Sequence, residues 1–133
     1  MRLTVDALVI NERDEIVLVK RKHPPYEGQW ALPGGFVEEN ETVENALIRE
    51  MREELDIDVS KSYDLVGVYS EPDRDPRGRT VTLAFICWVD RNVQPNAGDD
   101  AGEAKFFDWN DVYNMNLAFD HDRIFIENIR KAF

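Results

Sequence analysis

The sequence predicts an α/β fold in which a mixed β-sheet carries two main helices, and three observations support that expectation. Short β-rich runs alternate with polar turns from Leu3 onward, apolar residues recur every fourth position from Val43 to Leu55, and a second apolar helical pattern closes the chain. With 133 residues, 43% of them hydrophobic, the chain reads as one domain, 1–133, long enough to bury a core.

The elements follow in order. Leu3 to Ile10 alternates and is β-rich, Asn11 to Glu15 is a turn, and Ile16 to Lys22 reads as a partner strand. His23 to Gln29, with Pro24, Pro25 and Gly28, is a loop. Short strands are expected at Trp30–Leu32 and near Phe36–Val37, flanking a turn at Gly34-Gly35 where backbone could approach a ligand closely. Thr42 is the expected N-cap of a helix that ends near Leu55, with Val43, Leu47, Met51 and Leu55 as its apolar stripe. Tyr63 to Ser70 and Thr80 to Val89 read as strands joined by the charged loop 71–79. Arg91 to Gly102 is expected to be a polar loop, Ala104 to Asp108 a short strand, and Trp109 to Asn114 one helical turn. Asp120 is placed to cap a C-terminal helix carrying Ile124, Phe125 and Ile129.

A formal charge of −11 argues against nucleic acid or an acidic membrane surface as partner, since either requires a basic patch. A phosphate-bearing substrate would need bound metal and local Arg and Lys residues to reverse that field. The single cysteine, Cys87, lies in an apolar strand pattern and reads as core. There is no apolar signal region and no membrane-length apolar run, so a cytoplasmic protein is expected. A homodimer is compatible with the sequence.

The candidate chemistry is concentrated between Gly35 and Ile57. Glu50, Glu53 and Glu54 fall within five consecutive positions of one helix and share an arc of about 100° on its surface. Like charges this close destabilise an isolated helix. A solvated acidic face is one account of them, and a metal–phosphate site is the other, because hard divalent cations are usually held by a few carboxylates plus substrate phosphates. The apolar lead-in Trp30-Ala31-Leu32-Pro33-Gly34-Gly35-Phe36 favours the second, since a solvated helix has no need of it.

Gly35, Glu41, Arg49-Glu50-Met51-Arg52-Glu53-Glu54 and Ile57 together resemble the Nudix box, G-x5-E-x7-R-E-U-x-E-E-x-G-U, where U is aliphatic. One position departs: Asp56 stands where the family has its second glycine. That glycine commonly ends the helix in a left-handed conformation, which Asp tolerates better than most residues. The resemblance implies an α/β/α sandwich and hydrolysis of a nucleoside diphosphate linked to another group. It also implies Mg²⁺ as cofactor, with Mn²⁺ as an alternative, and a small-molecule nucleotide as substrate. By the same resemblance Glu50, Glu53 and Glu54 are metal ligands aided by a backbone carbonyl at Gly35, and Glu41 and Arg49 brace helix and loop by an ion pair. The general base is either a box glutamate or a carboxylate from a later loop, for which Glu103 is the candidate.

Substrate choice rests on features outside the box. Pro72 lies fifteen residues after Ile57. It, the surrounding 70–79 segment and Leu117-Ala118-Phe119-Asp120-His121 resemble small microbial ADP-ribose pyrophosphatases. Arg21, Arg74, Arg77 and Arg79 are then candidate phosphate or ribose contacts, Arg74 and Arg79 foremost in the loop, since guanidinium groups grip phosphate oxygens in pairs. Tyr26, Trp30 and Tyr69 are candidates to stack on adenine. His23 and His121 have no partners at metal-ligand spacing and read as ordinary loop or helix-end residues. Two other readings stay open: hydrolysis of nucleoside or pterin triphosphates, and a module that binds ADP-ribose-like ligands without turnover.

Overall fold

The computed structural model describes residues 1–98 and 101–132. Asp99 and Asp100, inside the expected polar loop, lie outside the described residues. Strand β1 (Arg2–Ile10) is central: it runs parallel to β6 (Thr80–Trp88) over nine residue pairs and antiparallel to β2 (Glu15–Arg21). β5 (Tyr63–Tyr69) lines the far side of β6, while β3 (Trp30–Ala31) and β7 (Ala101–Asp108) both pair with β2. The result is a mixed sheet of seven strands.

Helix α1 (Val43–Leu55) covers one face of the sheet and α3 (His121–Asn128) the other, with a short α2 (Trp109–Val112) after β7 and a closing 3-10 turn at Ile129–Ala132. Alternation along β1 sorts the two cores. Val5, Ala7 and Val9 pack with Leu47, Met51 and Leu55 of α1, and Leu8 and Ile10 pack with Ile124 and Phe125 of α3. Both faces are therefore covered, which is why the central strands read as nearly continuous apolar runs. Cys87 is fully buried, and burial pushes its thiol up to about 12. Among the described residues no helix is long and apolar enough to cross a membrane.

α1 begins at Thr42, whose hydroxyl accepts the Asn45 amide at 3.1 Å. It ends at Asp56 with φ 56° and ψ 39°, a left-handed residue whose amide returns to the Arg52 and Met51 carbonyls. Two more terminal carbonyls are met from the following loop, Leu55 by the Asn96 amide and Glu54 by the Gly98 amide.

Two elements differ from the sequence reading. Gly34-Gly35 is not a turn but the start of β4 (Gly34–Phe36), paired with β1 through Asp6–Gly34 and Val5–Gly35. The glycines are required by close packing: a Cβ at Gly34 would overlap the Val5 carbonyl and Asp6, and one at Gly35 would fall on the Glu50 carboxylate. Likewise β7 begins at Ala101, not Ala104, because Ala101 pairs with Arg21 beyond a register shift at Lys20/Arg21. The irregular pairing removes the alternation by which a strand is read.

Candidate active site

α1 and β4 bring the box residues to the edge of a cleft of about 440 Å³ that reaches from Lys22 and His23 across to Arg77. Gly34, Gly35, Glu38, Glu50 and Glu54 line it together with Arg21, Arg77 and Phe119, and Asp6, Arg74 and His121 line it as well.

Glu54 is packed against β4 and receives the Gly34 amide. Burial, followed by the nearby Glu50 charge, raises its carboxyl to about 8, so it holds a proton at neutral pH unless a cation displaces it. Burial also raises Glu50, even though Arg49 partly offsets this through a 2.8 Å bond from Nη1. Glu53 is mostly exposed and takes the same Arg49 Nη1 at 3.2 Å.

Arg49 ties the box residues together. It grips Glu41 in bidentate fashion, at 3.0 Å through Nε and 2.6 Å through Nη2, and Nη2 also donates to the Phe36 carbonyl at 2.9 Å. The hydrogen bond from Arg49 leads in lowering Glu41 to about 2, and Glu41 additionally accepts the Glu38 amide. One guanidinium thus joins the loop, the end of β4 and the glutamates of α1.

Among the described residues no group of three or more His, Cys, Asp or Glu side chains is arranged to hold a metal ion by itself. An open site needs none, since Mg²⁺ retains waters and takes substrate phosphates as ligands. The donor set fits a divalent cation: two adjacent half-buried carboxylates, both raised by burial, carry charge that a cation would neutralise.

Residues 1–128 match the family model of the NUDIX domain. The chain belongs to the Nudix family. It is 48% identical over 122 residues to the ADP-ribose pyrophosphatase of Methanocaldococcus jannaschii, an alignment covering 92% of this chain and 70% of that protein. The fold superposes at a TM-score of 0.89 on the NUDIX domain of Shewanella oneidensis NrtR complexed with ADP ribose, at 27% identity, covering 98% of this chain and 88% of the other. It also superposes at 0.85, with 34% identity, on a bifunctional NMN adenylyltransferase/ADP ribose pyrophosphatase from Francisella tularensis complexed with AMP and a Mn ion. That match covers 99% of this chain and 42% of the larger enzyme.

Within this Nudix fold several candidates outside the box lie elsewhere than expected. Glu103 sits on β7 opposite Lys20, exposed and outside the cleft lining, because the segment is strand and not loop. Tyr69 is buried in the α3-side core, donating to Glu127 at 2.7 Å and accepting from Asn128 at 2.8 Å, so its ring is not offered to a ligand. Arg74 reaches the cleft floor, but its side chain is only 4% exposed and is held by both Asp120 oxygens at 2.9 and 2.7 Å. Asp120 is therefore an ion-pair partner and makes no side-chain cap on α3. Arg79 is exposed and outside the lining, whereas Arg77 lines the cleft. Arg21 lines it as well, its Nε donating to the Pro25 carbonyl at 2.7 Å.

The sequence reading missed Asp6 and took His121 for an ordinary helix-end residue. His121 is buried, with Nδ1 accepting the Leu32 amide at 3.0 Å and Nε2 facing Asp6 Oδ1 at 3.6 Å. Asp6 also accepts from Thr82 at 2.7 Å. Against burial, the His121 imidazole, the Thr82 hydroxyl and the Arg74 guanidinium hold its carboxyl below the usual range. The signal was present: one acid inside the apolar strand Leu3-Thr4-Val5-Asp6-Ala7-Leu8 has to find partners.

Proposed function

We propose that this Nudix domain hydrolyses the pyrophosphate bond of ADP-ribose to AMP and ribose 5-phosphate, with Mg²⁺ as the working cation and Mn²⁺ able to replace it. One observation carries the reading: two burial-raised carboxylates, Glu50 and Glu54, and the guanidinium groups of Arg21 and Arg77 line a single cleft. A diphosphate would suit such a lining, since the carboxylates would hold a divalent cation and the guanidinium groups would supply charge-assisted hydrogen bonds. The 48% identity to an ADP-ribose pyrophosphatase supports this substrate over a triphosphate.

Glu50, Glu53, Glu54 and the backbone of Gly35 would hold the metal, which supplies charge neutralisation and a more acidic water. Arg49 keeps those carboxylates in place, and Arg21 and Arg77 orient the diphosphate. Water oxygen attacks one phosphorus, the bond from that phosphorus to the bridging oxygen breaks, and the second phosphate leaves. The water proton passes to a box carboxylate and not to Glu103, which lies outside the cleft lining.

The test is product analysis with ADP-ribose and with dGTP in Mg²⁺. AMP and ribose 5-phosphate from the first, with far slower release of pyrophosphate from the second, are expected. Glu54→Gln should lower kcat by at least about a hundredfold, because metal-borne charge stabilisation is worth several kcal/mol. The ADP-ribose complex of the NrtR domain keeps a second reading in view, binding without turnover. Tight ADP-ribose binding with no AMP formed would select it.

A further inference from the structure

The cleft mouth carries a row of alternating rings and guanidinium groups. Arg2 Cζ lies 4.9 Å from the centroid of the Phe36 ring, and Arg77 Cζ lies 5.4 Å from that same ring. Arg77 Cζ is also 5.4 Å from the Phe119 ring, whose centroid lies 4.9 Å from Arg21 Cζ. Five residues from β1, β4, the 71–79 loop, the 113–120 turn and the end of β2 thus form one stack, and Phe119 is the ring shared by Arg21 and Arg77.

Phe119 is held there against its own backbone preference. Its φ is +54°, a left-handed conformation that a bulky aromatic residue rarely adopts and that persists only where the surroundings impose it. They do so here: the Ala118 amide donates to the Trp30 carbonyl at 2.8 Å, the His121 amide to the Ala118 carbonyl at 3.1 Å, and Tyr26 packs its ring 4.8 Å from that of Phe119. The two guanidinium groups repel each other; after burial, Arg77 is the next cause lowering the proton affinity of Arg21. Arg77 is held by both Asp75 oxygens and Arg21 by the Pro25 carbonyl and, at 3.5 Å, the His23 carbonyl, and no hydrogen bond among the described residues engages Nη1 of either. Two like charges with spare donors, gathered in a cleft, make a receptor for an anion.

We propose that Phe119 is a positioning residue: by stacking on Arg21 and Arg77 together it forms a two-guanidinium clamp for a phosphoryl group of the substrate, in the cleft that Glu50 and Glu54 also line. The clamp rests on the reading of this cleft as a diphosphate site and adds to it a determinant that makes no polar contact with substrate.

Phe119→Leu keeps an apolar side chain and removes the π face, Phe119→Tyr keeps the ring, and Phe119→Gly removes the ring while relieving the left-handed backbone. Steady-state kinetics on ADP-ribose should show KM raised roughly tenfold in the Leu and Gly variants, kcat held within about threefold, and the Tyr variant near wild type. Binding of inorganic pyrophosphate in EDTA, followed by calorimetry, should weaken by a similar factor in the Leu and Gly variants alone. Wild-type KM in the Leu variant, a Tyr variant as impaired as Leu, or a loss confined to kcat would each overturn the proposal. Should wild-type protein fail to turn over ADP-ribose, the pyrophosphate series still decides: ring-dependent binding supports the clamp, and ring-independent or absent binding overturns it.

Discussion

The Nδ1 atom of His121 accepts the Leu32 backbone amide at 3.0 Å, joining residues 89 positions apart in the chain. Nδ1 is therefore the unprotonated nitrogen, and the ring proton sits on Nε2, facing Asp6. This one imidazole connects the start of α3 to the segment that leads into Gly34 and β4. His121→Leu should leave the Leu32 amide without an acceptor and cost about 1–3 kcal/mol of stability. Urea denaturation gives the value, and a Leu variant as stable as wild type would mean that another acceptor takes the amide.

The Arg74–Asp120 pair separates two arginines of the 71–79 loop, Arg74 and Arg79. Arg74→Met leaves Asp120 half-buried and removes a guanidinium 4.0 Å from Asp6, so a destabilisation of about 3–5 kcal/mol is expected. Arg79→Ala, at an exposed position, should change stability by less than about 0.5 kcal/mol and leave kcat/KM for ADP-ribose untouched. Thermal melts and kinetics on the two variants check this, and a marked kinetic defect in Arg79→Ala would return that residue to the substrate.

Glu54 sets a pH dependence. Its folded value of about 8 lies above that of an unfolded glutamate, so between about pH 4.3 and 8 the folded state binds the extra proton. This carboxyl's contribution is complete at low pH and is lost as pH rises through that window. In EDTA, Glu54→Gln should therefore gain stability relative to wild type as pH is raised from 5 to 8. Mg²⁺ must displace the same proton, so apparent metal affinity should climb with pH and level off near 8. A flat profile of Mg²⁺ affinity between pH 6 and 8 would count against Glu54 as a ligand.

At the end of α1, Asp56→Gly should stabilise the fold by no more than about 1 kcal/mol, because glycine reaches the left-handed conformation without the Cβ cost. The 3.7 Å contact to Arg52 that is lost is exposed and worth little. A clear fall in melting temperature would reveal a further role for the Asp56 carboxylate.

Local signals in the sequence carried much of this architecture. The four-residue stripe of α1 and its Thr42 cap depend on neighbours within a few turns, where spacing is informative, and the left-handed Asp56 and the Arg49–Glu41 brace were implied by the Nudix resemblance. Less legible were features created by distant pairing. Gly34-Gly35 reads as a turn by composition, yet it is strand because β1 passes close beneath it. Ala101 to Glu103 pairs through an irregular register that leaves no alternation to read. Tyr69 and Arg74 have the right chemistry for a nucleotide, and only the packing of α3 against the sheet reveals that Glu127, Asn128 and Asp120 already engage them. Phe119 carries no sequence mark of its left-handed backbone.

The parallel pairing of β1 with β6 also sets an order on biosynthesis. One edge of residues 2–10 pairs with β2 and β4 within the next thirty residues, but the other finds its partner only at residues 80–88, so that edge must wait for some seventy further residues to be made before it is satisfied. At about 5–20 residues per second that interval is several seconds. During it the apolar run Ala7-Leu8-Val9-Ile10 stands exposed, with no charge to interrupt it. High expression temperature should therefore harm the yield of soluble protein more than the stability of the finished fold would suggest, with nascent β1 as the segment that aggregates or recruits a chaperone.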